Sequence, residues 1–383
     1  MSSIDWLGKV NPSWGYAPLF TLGDPKKKPN KGMLESNLLS LSYGRIIRRD
    51  IESSDGLVPA SYETYQIVEP GDTVLRFTDL QNDQRSLRSG LVEERGIITS
   101  AYLSFTPDRR RLNPAFFAHM MRAVDLSKVF YRMGSGVRQS LNWSEFSLMR
   151  LPLPPLETQQ RIADYLDRET AEIDAAVADL DKYVELLNVK LESASREVFT
   201  ELSANHPLIQ TKFLVDITTG SGDTQDSQEN GGFPFYVRSD TIQRAEDFEF
   251  DCEAVLTSGD GAGVGKIFHL AGGKFKAHQR VYVMHNFKRV SPQYFYWMFK
   301  SAFPDAIRYG GAKSTVDSVR RPMIANLKIP VPDHDAQEKA SKRIEKLHHE
   351  VSTLIAKSTK LRDLLLKRRS VLITEVVTGR KQV

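Results

Sequence analysis

Two stretches of the 383-residue chain carry apolar side chains at alternating spacings of three and four. In the first the positions are Ile173, Val177, Leu180, Val184, Leu187, Leu191, Ala194 and Val198. In the second they are Ile344, Leu347, Val351, Leu354, Leu361 and Leu365, with Ser358 as the one polar member. A seam with this period predicts long helices that pair through heptads. Neither Gly nor Pro interrupts residues 157–204 or 333–378, so each helix should run roughly 60–70 Å at about 1.5 Å per residue. Elsewhere the pattern is that of short strands. Residues 73–77 and 280–284 are short stretches rich in β-branched and aromatic side chains and bounded by turn residues. Helices are predicted to begin at Pro114 and Pro292, since proline suits the first helical turn. The Pro-x-Pro segments at 151–154 and 329–332 favour extended backbone and read as linkers leaving globular domains.

These elements recur. Pro114 and Pro292 lie 178 positions apart, and so do Pro152 and Pro330, and Gln159 and Gln337. An indel falls between these anchors, where 133–138 aligns with 309–313 only after a small shift. The chain is therefore a tandem repeat of one unit: a mixed α/β part followed by a long helix. The predicted class is α+β: two tandem α/β domains separated by two long helices that form an antiparallel coiled coil, with a pseudo-twofold relation. The expected boundaries are 1–17 for an N-terminal segment packing near the coiled coil and 18–155 for the first domain. Residues 156–205 form the first helix, 206–332 the second domain, and 333–383 the second helix and tail.

Charge supports the pairing of the helices. Residues 156–206 hold 12 acidic and 5 basic side chains, whereas residues 331–383 hold 7 acidic and 12 basic ones. Complementary charge sets partner choice more than stability. The single cysteine, Cys252, excludes a disulfide framework and cysteine-based zinc sites. No run of apolar residues is long enough for a membrane span, and the N-terminus lacks an apolar signal core, so a cytoplasmic location is expected.

Catalytic motifs fail one by one. The run 259–266 suggests a phosphate loop, but Asp260 stands where the pattern requires Gly, and Ile267 where it requires Ser or Thr. The segment after it reads as a strand, so a glycine-rich hairpin turn is the expectation. Asn113-Pro114-Ala115-Phe116 only partly resembles an amino-methyltransferase motif, and no glycine-rich cofactor loop accompanies it. The eight histidines form no metal-ligand pattern.

Four segments together resemble the specificity subunit of type I restriction-modification enzymes, over essentially the whole chain. They are 5–14 at the N-terminus, the Leu-Pro-Leu-Pro-Pro-Leu-Glu-Thr-Gln run 151–159, the glycine-rich turn 261–266 with His278, and the ending Val377-Thr378-Gly379. The second linker departs from the family pattern, because Asp333-His334-Asp335 lacks the second proline and the Leu. The resemblance implies a non-catalytic subunit that reads a bipartite, asymmetric duplex DNA site, one half per domain. It also implies two modification (methyltransferase) subunits and a restriction subunit as partners, with S-adenosylmethionine, ATP and Mg bound by them and no cofactor in this chain. A stand-alone regulator with paired recognition domains, or a nucleotide-dependent enzyme using the glycine-rich turn, are the alternatives.

DNA reading needs basic groups for phosphates and a few side chains for base edges. In the first domain the candidates are Arg76, Arg85, Arg88, Arg132, Arg138 and Gln139, with Gly134, Ser135 and Gly136 letting backbone approach. In the second they are Arg238, Lys266, Lys274, Lys276, His278, Arg280, Lys313, Ser314 and Thr315, with Gly310 and Gly311.

Overall fold

The computed structural model describes residues 8–52, 59, 61–80, 83, 87–133, 140–309 and 318–383. Its six helices among those residues are α1 (Pro114–Leu126), α2 (Trp143–Phe146), α3 (Leu156–Asn205), α4 (Pro292–Tyr309), α5 (Arg321–Ala325) and α6 (His334–Val377). The chain divides into two compact units: residues 1–180 with 360–383, and residues 181–359. Each unit thus contains part of both long helices.

The first unit is built on a four-stranded antiparallel sheet in the order Gly23–Lys26, Leu103–Pro107, Thr73–Leu75, Ser89–Leu91. The second repeats it as Asp216–Thr219, Val281–His285, Ala254–Ser258, Phe268–Ala271. Leu103 and Val281, Pro114 and Pro292, and Arg150 and Lys328 open equivalent elements at the 178-residue offset found in the sequence. Asn113 caps α1 by accepting from the Phe116 N–H, and Pro114 fills the first turn. Phe116, Phe117, Met120, Met121 and Val124 of that helix are buried with Phe105 of the sheet. In the second unit Tyr294, Phe295, Met298, Phe299 and Phe303 of α4 play the same part. The units differ outside this core. The first adds a three-stranded sheet and the hairpin Leu39–Ser42/Arg45–Arg48, whereas the second adds a four-stranded sheet with one parallel pairing.

The two Pro-x-Pro segments are extended, as expected, but they are not linkers. Arg150–Leu153 pairs antiparallel with Gly15–Pro18, and Lys328–Pro330 pairs with Leu208–Gln210. Proline is tolerated there because these are two-stranded sheets with edges on both sides. Directly after each strand, a buried glutamine locks the helix start to the loop before α1 or α4. Gln159 donates to the carbonyls of Arg111 (3.0 Å) and Pro154 (2.8 Å) and accepts from the Asn113 N–H (2.8 Å). Gln337 donates to Arg289 (2.8 Å) and Pro332 (3.0 Å) and accepts from the Ser291 N–H (3.0 Å). Every partner is again displaced by 178.

Within each unit the long helices run antiparallel. In the first, Asp174 of α3 pairs with Arg369 of α6 at 2.9 Å, and Lys381, just past α6, donates to the Tyr165 hydroxyl. In the second, Glu201 pairs with Arg343 at 3.1 Å. The α3 seam is as predicted: all eight positions are buried or half-buried. The α6 seam is corrected. Ile344, Leu347, Val351, Ser358 and Leu365 are inward, but Leu354 and Leu361 are 40% and 49% exposed. Ile355 and Arg369 are half-buried instead. Apolar residues on α6 occupy two adjacent stripes, and packing chooses the one that lets Arg369 reach Asp174.

The N-terminal and C-terminal motifs meet. The Asn11 N–H donates to the Thr378 carbonyl at 2.8 Å, and Trp14 packs on the core that holds Leu372, Ile373, Val376 and Val377. Gly379 has φ +68°, and a Cβ there would lie 2.7 Å from the Trp14 ring. Only glycine meets both demands.

Candidate nucleic-acid interface

The residues 259–266 connect Ala254–Ser258 to Phe268–Ala271, which pair antiparallel. The glycine-rich run is thus a hairpin connection, holding one 3-10 turn at Gly261–Gly263. Gly261 takes φ +74°, and a Cβ on Gly263 would lie 2.8 Å from the Arg238 carbonyl. The turn therefore presses its backbone against Arg238, which lies just past the strand Phe233–Tyr236, and holds Asp260 beside it.

Asp260 is the centre of a cluster that the linear sequence does not reveal. Its Oδ1 accepts from Arg238 at 2.8 Å, and its Oδ2 accepts from Arg280. Burial opposes ionisation of Asp260, but its hydrogen bonds to the two guanidinium groups outweigh this and hold the carboxyl below its ordinary value. Arg280 is anchored through its backbone as well, since its N–H donates to His278 Nδ1 at 3.1 Å. Burial, then the charge of Arg238, lowers the His278 pKa. The buried ring accepts from this N–H and so shapes the strand end, and it lines the concavity beside Arg238.

Other expected contacts fall elsewhere. Lys276 is mostly buried between Asp226 (3.1 Å) and Asp247 (2.7 Å), and its hydrogen bond to Asp247 raises its pKa. Its charge is consumed internally. Lys274 lies over the Phe248 ring at 4.5 Å and is exposed. Lys266 is exposed at the rim of a different concavity of about 620 Å³, lined by Trp297, Lys300 and Arg308. It does not join Arg238 and Arg280.

In the first unit Arg76 is half-buried and pairs with Asp83 at 3.5 Å. Arg88 is a correction: it is fully buried and cannot face solvent. Its guanidinium donates to the carbonyls of Thr78 (2.9 Å), Asp79 (3.2 Å) and Asp83, and so ties down the loop between two strands. Arg132 ends a single 3-10 turn, Phe130–Arg132, and its side chain lies outside what the structure describes. Arg85, Gly134, Ser135, Gly136, Arg138, Gln139, Gly310, Gly311, Lys313, Ser314 and Thr315 also lie outside the described residues.

The sequence reading missed Asp260 as a participant, having weighed it only as a defect in a phosphate-loop pattern. It also missed Gln243, whose buried Oε1 has no hydrogen-bond partner among the described residues and which lines the same concavity as Arg238 and His278. Arg238 and Arg280 stand 42 positions apart, and only the folded sheet brings both to one carboxylate. Among the described residues no group of His, Cys, Asp and Glu could hold a metal ion, and no helix is long and apolar enough to cross a membrane.

The profile of the type I restriction modification DNA specificity domain matches residues 101–178 and 212–361, more than half of the chain. The chain is 24% identical over 166 residues to the type I restriction enzyme EcoDI specificity subunit of Escherichia coli. That alignment covers 43% of this chain and 36% of the relative, about a third of its length. It is 20% identical over 312 residues to a putative type I restriction enzyme MjaX specificity subunit of Methanocaldococcus jannaschii, covering 73% and 71%. Among solved structures, a chain from a type I restriction-modification system studied for its assembly and conformational transition superposes with a TM-score of 0.74. It is 15% identical, and 96% of this chain and 98% of that one are covered. The HsdS subunit of Thermoanaerobacter tengcongensis superposes with a TM-score of 0.54 at 13% identity, covering 97% and 98%. At these identities the superpositions speak to fold.

Proposed function

Because the chain belongs to the type I restriction-modification DNA specificity family, we propose that it is the target-reading subunit of such a complex and has no catalysis of its own. Each unit reads one half of a bipartite, asymmetric duplex site. Two modification subunits dock on the chain and supply methyl transfer from S-adenosylmethionine, and a restriction subunit supplies ATP hydrolysis with Mg. The observation that carries this reading is the repeated core: the same sheet, helix and glutamine lock occur twice, while the loops and added sheets around them differ. A common scaffold with unlike rims is what reading two different sequences requires, since phosphate contacts position a protein and base contacts specify. Exposed apolar side chains on the long helices support docking there, Leu186 and Val189 on α3 and Leu361 and Leu364 on α6.

Selection from a randomised duplex pool, using the chain assembled with its modification subunits, tests the proposal. Enrichment should yield two clusters of fixed bases at a constant gap. A single cluster, or no sequence preference, would overturn it. The purified chain alone should neither transfer methyl groups nor hydrolyse ATP.

A further inference from the structure

Asp260 forms the wall shared by two concavities of the second unit, about 340 Å³ on the side of Arg238, Gln243 and Gly261 and about 250 Å³ on the side of Arg280 and Tyr282. Its side chain is 18% exposed, while those of Arg238 and Arg280 are 41% and 59% exposed. Each guanidinium carries five N–H donors. Each gives one to Asp260, and the others have no protein acceptor among the described residues. A carboxylate with one oxygen per arginine fixes where both forks point and leaves their free edges outward. A Cβ on Gly261 would meet nothing nearer than the Arg238 Nη1 at 3.9 Å, so the turn leaves space beside that fork.

The chemistry narrows the ligand. Two arginines aimed at phosphates would gain from both positive charges, and a carboxylate between them cancels one. Base edges are neutral, and a guanine offers two adjacent acceptors, O6 and N7, that match a guanidinium fork. Resting on the target-reading role proposed above, we infer that Asp260 is a positioning residue that sets Arg238 and Arg280 on guanine edges in the half-site read by the second unit. Gln243 lines the same concavity beside Arg238, and its side chain adds a polar group next to that fork.

The test is binding of the complete complex to a panel of duplexes in which every base of both half-sites is varied singly. Asp260→Asn keeps the size and removes the charge. It should cut discrimination for guanine at one or two positions of one half-site by about 10-fold, leave the other half-site unchanged, and keep or slightly raise affinity for unrelated DNA. Arg238→Lys and Arg280→Lys each lose the fork but keep the charge, and each should relax one of the same positions. Asp260→Glu should restore part of the discrimination. Both arginines are exposed, so these variants stay informative if Asp260→Asn folds poorly. A uniform loss across all sequences with a shallower salt dependence would assign the arginines to phosphate and overturn the inference, as would unchanged discrimination in all variants. If the unaltered complex shows only one half-site, the two-reader reading itself fails.

Discussion

At the residue scale, two side chains play parts that oppose their reputations. Arg88, a basic residue in a candidate reading loop, is spent on backbone carbonyls, whereas Asp260, an acid, organises the exposed arginines. Neither role was legible in sequence, because both depend on which atoms folding brings within about 3 Å. The glutamines were legible as repeat anchors, though not as hydrogen-bond locks. Gln337→Ala leaves the Ser291 N–H and two carbonyls without their partner. At about 1–3 kcal/mol for a buried group left unpaired, the loss should be about 3 kcal/mol by urea denaturation. Gln337→Glu, which sets an oxygen against two carbonyls, should cost no less at neutral pH. Histidines give a pH signature. Burial is the main cause of the lowered pKa of His269, His278 and His348. In the unfolded chain such groups take up protons near about 6.5 while in the folded chain they resist. The native state should therefore lose stability as pH falls through about 6.5 toward the lower folded values. His278→Gln, measured by denaturation across pH 7.5 to 5, should flatten that fall, and an unchanged slope would show that His278 does not contribute to it.

At the element scale, both long helices and both proline-initiated helices were visible in the periodicity, since a 48-residue run without Gly or Pro and a proline before an apolar stripe have few other readings. The α6 seam was not fully visible. Leu354 and Leu361 fit a heptad on paper, yet the helix turns Ile355 and Arg369 inward, because apolar residues alone do not say which of two neighbouring stripes meets a partner. This gives a contrast. Ile344→Ala removes a side chain buried against the second unit's core and should cost about 3 kcal/mol. Leu361→Ala should change stability by less than about 0.5 kcal/mol. Equal losses in thermal or chemical denaturation would restore the simple heptad. The strand role of the Pro-x-Pro segments was likewise hidden, since extended backbone was foreseeable but its partner strand, more than 100 residues away, was not.

At the scale of the whole molecule, α3 begins in the first unit and ends in the second, and α6 does the reverse. If the proposed role holds, helix length sets the gap between half-sites. Deleting residues 177–183 and 351–357 together removes one heptad from each helix and about 10 Å of length. The preferred spacer should shorten by about three base pairs, at about 3.4 Å each, with both half-sites unchanged. An unchanged spacer in a folded variant would show that the helices do not set the distance. The central claim, that each unit reads its own half-site, has a more direct test. Residues 18–150 are replaced by the corresponding domain of a relative with a different target, and the sites methylated by the assembled complex are mapped. The account predicts one altered half-site and one retained half-site. Alteration of both halves, in a complex that still assembles and methylates, would contradict it.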